Sequence, residues 1–203
     1  MRTINDQIPA SGTVPENYQE VLSWKVTGKP VRVIALNIFG VILFIIFGMI
    51  FSSLAIRLGK MPSGGSFRIG LGEMGLAVTG IVVTLVLHEL THGAAMQLFG
   101  ASPRYGIIWK GLMLYATSPG YAYRRKDYVV IALAPFVLIS LLAVLCMWLL
   151  QGTAWVALLA VCGIVNASGA VGDLWITMIV LRHAVTAYVM DERDGIRVFL
   201  PKP

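Results

Sequence analysis

The chain is poor in charge. Of its 203 residues only 13% are Asp, Glu, Lys or Arg, about half the share usual in a soluble domain. Cysteine is scarce too: Cys146 and Cys162 both lie inside apolar stretches, where a thiol behaves as a small hydrophobe, so a disulfide scaffold is excluded. There is no internal repeat and no low-complexity tract, which excludes a collagen, and a disordered tail does not carry 57% hydrophobic residues. What the chain has instead is apolar length, with a mean hydropathy of +0.78. That is the composition of a multi-pass membrane protein. A formal charge of +6 would suggest nucleic acid for a soluble protein. Here the basic residues flank apolar runs, which reads as a topology signal and contact with anionic lipid headgroups, and no nucleic-acid partner is expected.

No charge occurs from Val33 to Ile56, a stretch of 24 residues and long enough to cross a hydrocarbon core of about 30 Å. A second apolar block, about Leu71 to Phe99, is interrupted by Glu73, His88, Glu89 and His92 and is followed by the helix stop Gly100. Tyr128 to Gly172 holds 45 uncharged residues, about twice one span, so it folds back once, with the turn expected at Gln151-Gly152-Thr153. The fourth span continues to about Leu181 through Asp173. Between spans two and three, Tyr105–Trp109 and Leu112–Tyr115 flank Lys110-Gly111 and read as a hairpin. The expected fold is therefore an all-α membrane protein of about four transmembrane helices, with a short membrane-associated β-hairpin between helices two and three. Residues 1–30 read as a cytoplasmic lead-in with little structure of its own, 31–182 as the polytopic domain and 183–203 as a cytoplasmic tail. Thirteen of the 16 basic residues fall in the two terminal segments and the loop after span two, which places both termini in the cytoplasm.

The second span contains His88-Glu89-Leu90-Thr91-His92. Histidines four apart project from one helix face, about 40° apart, so both imidazoles can reach one metal ion while Glu89 stands beside its open position. Zn2+ suits the pattern, because it lowers the pKa of bound water to about 7 and Glu89 can accept the proton. Ionisable groups inside a span are costly, and their presence points to function. A catalytic zinc needs a third protein ligand. Asp173 is the stronger candidate: it lies about as far from the end of span four as His88 from the end of span two, roughly 12–16 Å. His183 reads instead as a helix-end residue. Asp173 can also be read as a buried acid satisfied by a helix dipole. Asn166, seven residues earlier, shares the Asp173 face, either as a hydrogen-bond donor to a substrate carbonyl or developing oxyanion, hence catalytic, or as helix packing. Glu73 reads as a helix-start acid and Pro135 as a kink in span three.

At these residues the chain resembles intramembrane zinc metalloproteases of the site-2 protease type. More narrowly, it resembles a small bacterial zincin peptidase family, formerly a domain of unknown function. The resemblance runs through His88-Glu-Leu-Thr-His92-Gly, the Tyr-rich stretch to Ser118-Pro119, Ala134-Pro135, and Asn166 through Gly172-Asp173-Leu174. It implies zinc held by His88, His92 and Asp173, with Glu89 as catalytic acid/base, in a bacterial cell-membrane enzyme. It also implies a peptide or transmembrane-segment substrate held in the bilayer as an added strand. The hairpin residues Tyr105, Ile107, Trp109, Leu112 and Leu114 are candidates for that edge, although the same hairpin can serve as an amphipathic plug over the site. A non-proteolytic zinc-binding sensor or scaffold and a small ion transporter are the competing readings. No oligomeric state follows from the sequence.

Overall fold

The computed structural model describes residues 10–59, 70–109 and 113–203. Four helices among them are long and apolar enough to cross a membrane. These are α1 (Pro30–Leu58), α2 (Leu71–Leu98), α3 (Arg125–Leu149) and a fourth that is interrupted at Ala170, giving α4 (Trp155–Gly169) and α5 (Val171–Leu181). Large apolar side chains such as Ile38, Phe44, Val82, Leu138 and Leu141 point outward, an exposure suited to hydrocarbon surroundings. The turn from α3 to α4 falls at Gln151–Thr153, where the sequence signalled it. Gly152 adopts φ +76°, a left-handed conformation that glycine reaches without strain, and its N–H donates to the Leu58 carbonyl at 2.7 Å.

An all-α description proves too narrow. Tyr18–Lys25 is a strand, β1, in the segment expected to be an unstructured lead-in, and the expected tail forms β5 (Tyr188–Glu192) and β6 (Gly195–Pro201). With β4 (Ala122–Arg124) they make an antiparallel sheet in the order β1-β6-β5-β4. β6 shows why: in Gly-Ile-Arg-Val-Phe-Leu-Pro, Ile196 and Val198 are fully buried while Arg197 between them turns outward and pairs with Glu192 at 2.7 Å. From Ile196 to Val198 that is the period of two of a half-buried strand, while Phe199, next to Val198, is buried on the opposite face. The β5–β6 turn needs Gly195, because a β-carbon there would collide with the backbone carbonyl of Trp24 on β1.

The hairpin after α2 is present as β2 (Arg104–Ile108) paired with β3 (Met113–Thr117), in register Arg104↔Thr117 to Ile108↔Met113. Its Lys110-Gly111 turn and Leu112 lie outside the described residues, as do Lys60 and Arg68 after α1.

The chain divides into two compact units, Met1–Leu36, Glu89–Ala134 and Gly172–Pro203 in one, Asn37–His88 and Pro135–Val171 in the other. The first has a core of Trp24, Met96, Tyr123, Tyr128, Ile131, Val180, Val189, Ile196 and Val198. The second packs Phe51, Ala143, Met147, Val156, Ala160 and Ala167 together. There the Phe51 ring lies so close to Gly163 that no β-carbon would fit, so the small residue makes room for a large one on the neighbouring helix.

Candidate metal centre

α2 carries both histidines of the His88-Glu-Leu-Thr-His92 run on one continuous helix. Each histidine is 8% exposed. Buried polar rings need partners, and each ring has one on its Nδ1 side. His92 Nδ1 lies 3.0 Å from the Ile131 carbonyl on α3. A carbonyl only accepts, so Nδ1 of His92 carries a hydrogen, and in the neutral ring that leaves the Nε2 lone pair as the one that can reach a metal. His88 Nδ1 lies 3.0 Å from the side-chain oxygen of Asn166 on α4. The amide orientation is fixed by its other end: Asn166 Nδ2 is 3.2 Å from the Pro135 carbonyl and 3.1 Å from Ser140 Oγ. A carbonyl demands a donor, so the NH2 faces Pro135, the oxygen faces His88, and His88 too is an Nδ1–H donor.

Asp173 belongs to the first turn of α5, where the positive end of the helix dipole favours a carboxylate. Its Oδ1 is 3.3 Å from His92 Nε2. That distance suits an ion pair with the protonated ring, and it equally suits two ligands sharing one cation. A tetrahedral zinc with bonds near 2.0–2.1 Å separates its ligands by about 3.3 Å, the spacing observed. His88, His92 and Asp173 each offer one ligand atom, and these atoms lie within 4.8 Å of one another. The donor set, two imidazoles and one carboxylate, is a catalytic-zinc set with room for a fourth ligand, and the residues therefore fit the metal that the sequence implied. Glu89 follows His88 directly and is half-buried.

The other sequence candidates fall in different places. His183 Nδ1 lies 3.0 Å from the Ile179 carbonyl at the end of α5, a helix-end arrangement apart from the metal group. Tyr105 rests its hydroxyl against Gly93, one residue past His92, where a β-carbon would not fit. Tyr115 lies similarly over Gly106, with the Arg193 guanidinium 5.2 Å from its ring. Ile107 and Trp109 are exposed and Leu114 is half-buried.

Three features had escaped the sequence reading. The Ile131 carbonyl is a backbone group with no letter of its own. Ser140 is one of several hydroxyls in apolar helices, and nothing distinguishes it. Asp191 on β5 accepts a 2.9 Å hydrogen bond from the Tyr128 hydroxyl, in a segment read as tail. Burial is the main cause that pushes its carboxyl up to about 7. The Asp173 charge adds to the rise, while Thr117, Tyr128 and His92 oppose it. Burial likewise raises the Tyr123 phenol, whose oxygen is 2.6 Å from Ser118 Oγ.

Residues 81–188 match a family described as "Putative zincin peptidase". Among curated proteins, the "Uncharacterized 24.7 kDa protein in gap 5'region" of Pyrococcus woesei is 28% identical over 114 residues, 55% of this chain and 49% of that protein. The chain thus spans about half the length of that curated relative. No solved structure matches.

Proposed function

This chain belongs to the zincin peptidase family, and from that premise we propose that it is an intramembrane zinc metallopeptidase. Its substrates in this reading are membrane-embedded or membrane-adjacent peptides. The observation that carries the proposal is the convergence of His88, His92 and Asp173, whose ligand atoms lie within 4.8 Å of one another. His88, His92 and Asp173 would hold the zinc, which would supply a polarised water whose pKa is near 7. Glu89, next to His88, would serve as the acid/base that accepts a proton and returns one to the leaving amine. Asn166, with its oxygen on His88 and its NH2 on Pro135 and Ser140, holds the His88 ring and acts through it. Four helices long and apolar enough to span support placing this chemistry within a bilayer, where water must be rationed to the site and a substrate helix must unwind to expose its backbone. In this reading the protein sits in the bacterial cell membrane with both termini in the cytoplasm.

Glu89→Gln separates the chemistry from metal binding. Gln keeps the shape but moves no proton, so cleavage of transmembrane peptides should disappear while zinc stays near one per chain. Wild-type turnover by the variant would remove the mechanism. Equal zinc with no cleavage of any peptide by the wild-type protein would favour a non-proteolytic metal-binding role.

A further inference from the structure

Pro135 lies inside α3, fully buried, four residues after Ile131, which is itself only 1% exposed. An interior proline has no N–H to give to the carbonyl four residues back, and its ring pushes that carbonyl away from the helix axis. In a span, a carbonyl freed this way must find a donor from a neighbouring element. The donor that reaches Ile131 is His92 Nδ1, at 3.0 Å.

We infer that Pro135 is a positioning residue for the metal site: by withholding its N–H from Ile131, it frees the carbonyl that fixes the proton and the orientation of His92. The inference rests on the metallopeptidase reading for its purpose, but its geometry stands on hydrogen bonds alone. An alanine in place of this proline would restore the helix bond to Ile131, and His92 would then compete for an acceptor already engaged. A ring free to carry its proton on Nε2 presents an N–H, not a lone pair, toward Asp173.

The same turn of α3 serves the other histidine by a second route. The Pro135 carbonyl accepts from Asn166 Nδ2 at 3.2 Å, which aims the Asn166 oxygen at His88 Nδ1. Consecutive carbonyls along one row of α3 thus set the two imidazoles, His92 directly and His88 through Asn166. The consequence is selective. Pro135→Ala keeps a carbonyl at position 135 and so keeps the His88 route, while it closes the His92 route.

The test is 15N-edited NMR on the full chain, metal-free and in detergent, with labelled histidine; the sequence has three. Wild type should show solvent-protected, downfield Nδ1–H protons on both His88 and His92. In Pro135→Ala the His92 signal should lose its protection, while that of His88 persists. Zinc affinity, measured by competition with a chelator, should fall about 10- to 100-fold, as for loss of other partners that orient a metal-bound histidine. A His92 proton equally protected in both proteins overturns the inference, as does a wild-type His92 without a protected Nδ1–H, which decides the matter even if the variant does not fold. Loss of both histidine signals together would indicate general loosening of the bundle and would also count against it. If wild type binds no zinc yet the selective loss occurs, the positioning stands and the metallopeptidase reading fails. If wild type binds zinc and cleaves peptide while the His92 proton is unmoved by the substitution, only the role of Pro135 fails.

Discussion

The Tyr105 hydroxyl of β2 packs directly onto Gly93, the residue that follows His92 on α2. The hairpin is thereby keyed to the helix that carries the metal ligands, and glycine is the residue that admits it.

Gly93→Ala should therefore destabilise the protein by about 1–3 kcal/mol, the usual cost of forcing extra volume into a packed contact. Tyr105→Ala in the same chain should recover part of that loss, because the two changes share one contact and cannot add independently. Thermal unfolding of the two single variants and the double variant checks this; strictly additive shifts would show that the contact carries no energy.

Removing the Asn166 amide should weaken the metal site through His88. Asn166→Ala leaves His88 without its acceptor, and zinc affinity should drop about 10- to 100-fold. Ser140→Ala removes only one of two acceptors for the same NH2 and should change affinity by less than about threefold, since the Pro135 carbonyl remains. Chelator competition on the two variants makes the comparison, and equal losses would mean that the network does not act through His88.

Asp191 should make stability depend on pH. Its carboxyl, ordinarily at 3.8, is pushed up to about 7 in the fold, chiefly by burial. Across that window the folded chain keeps a proton that the unfolded chain releases. The stabilisation is thus fully present below about 3.8 and is lost as pH rises through about 7. The groups facing it are Thr117, Tyr128, His92 and Asp173. Asp191→Asn should flatten the fall in melting temperature across this range, and parallel curves for the two proteins would refute the assignment.

The basic residues of the loop after α2 and of both termini predict a cytoplasmic position for Arg125 and an external one for Lys60. Single cysteines at these positions, probed with a membrane-impermeant reagent on intact cells, should label only at position 60. The reverse pattern would invert the topology.

The four long apolar helices were legible because charge is nearly absent from them: 24 uncharged residues from Val33 and 45 from Tyr128 call for helices of spanning length. The histidine pair was legible because spacing by four on a helix is geometry written in the sequence. The four-stranded sheet was not, since β1 and β6 pair Tyr18 with Pro201, and nothing local announces a partner from the other end of the chain. Asp194-Gly195 between alternating segments was an available turn signal that the tail-like position obscured. Pro135 was legible as a kink, but that its freed carbonyl meets His92 depends on how α2 and α3 are rotated, which apolar helices without a strong polar face do not disclose. Asn166 shows the same limit: its place on the Asp173 face was readable, while its bond to His88 was not.

The account stands or falls on three ligands sharing one metal. Zinc content of the purified full chain, measured by mass spectrometry after dialysis against a weak chelator, is the direct test, with Asp173→Ala and His183→Ala run beside the wild type. The expected result is close to one zinc per chain in wild type and in His183→Ala, and a sharp loss in Asp173→Ala, where two imidazoles remain without the carboxylate 3.3 Å from His92. Equal zinc in Asp173→Ala and wild type, or loss in His183→Ala instead, would contradict it.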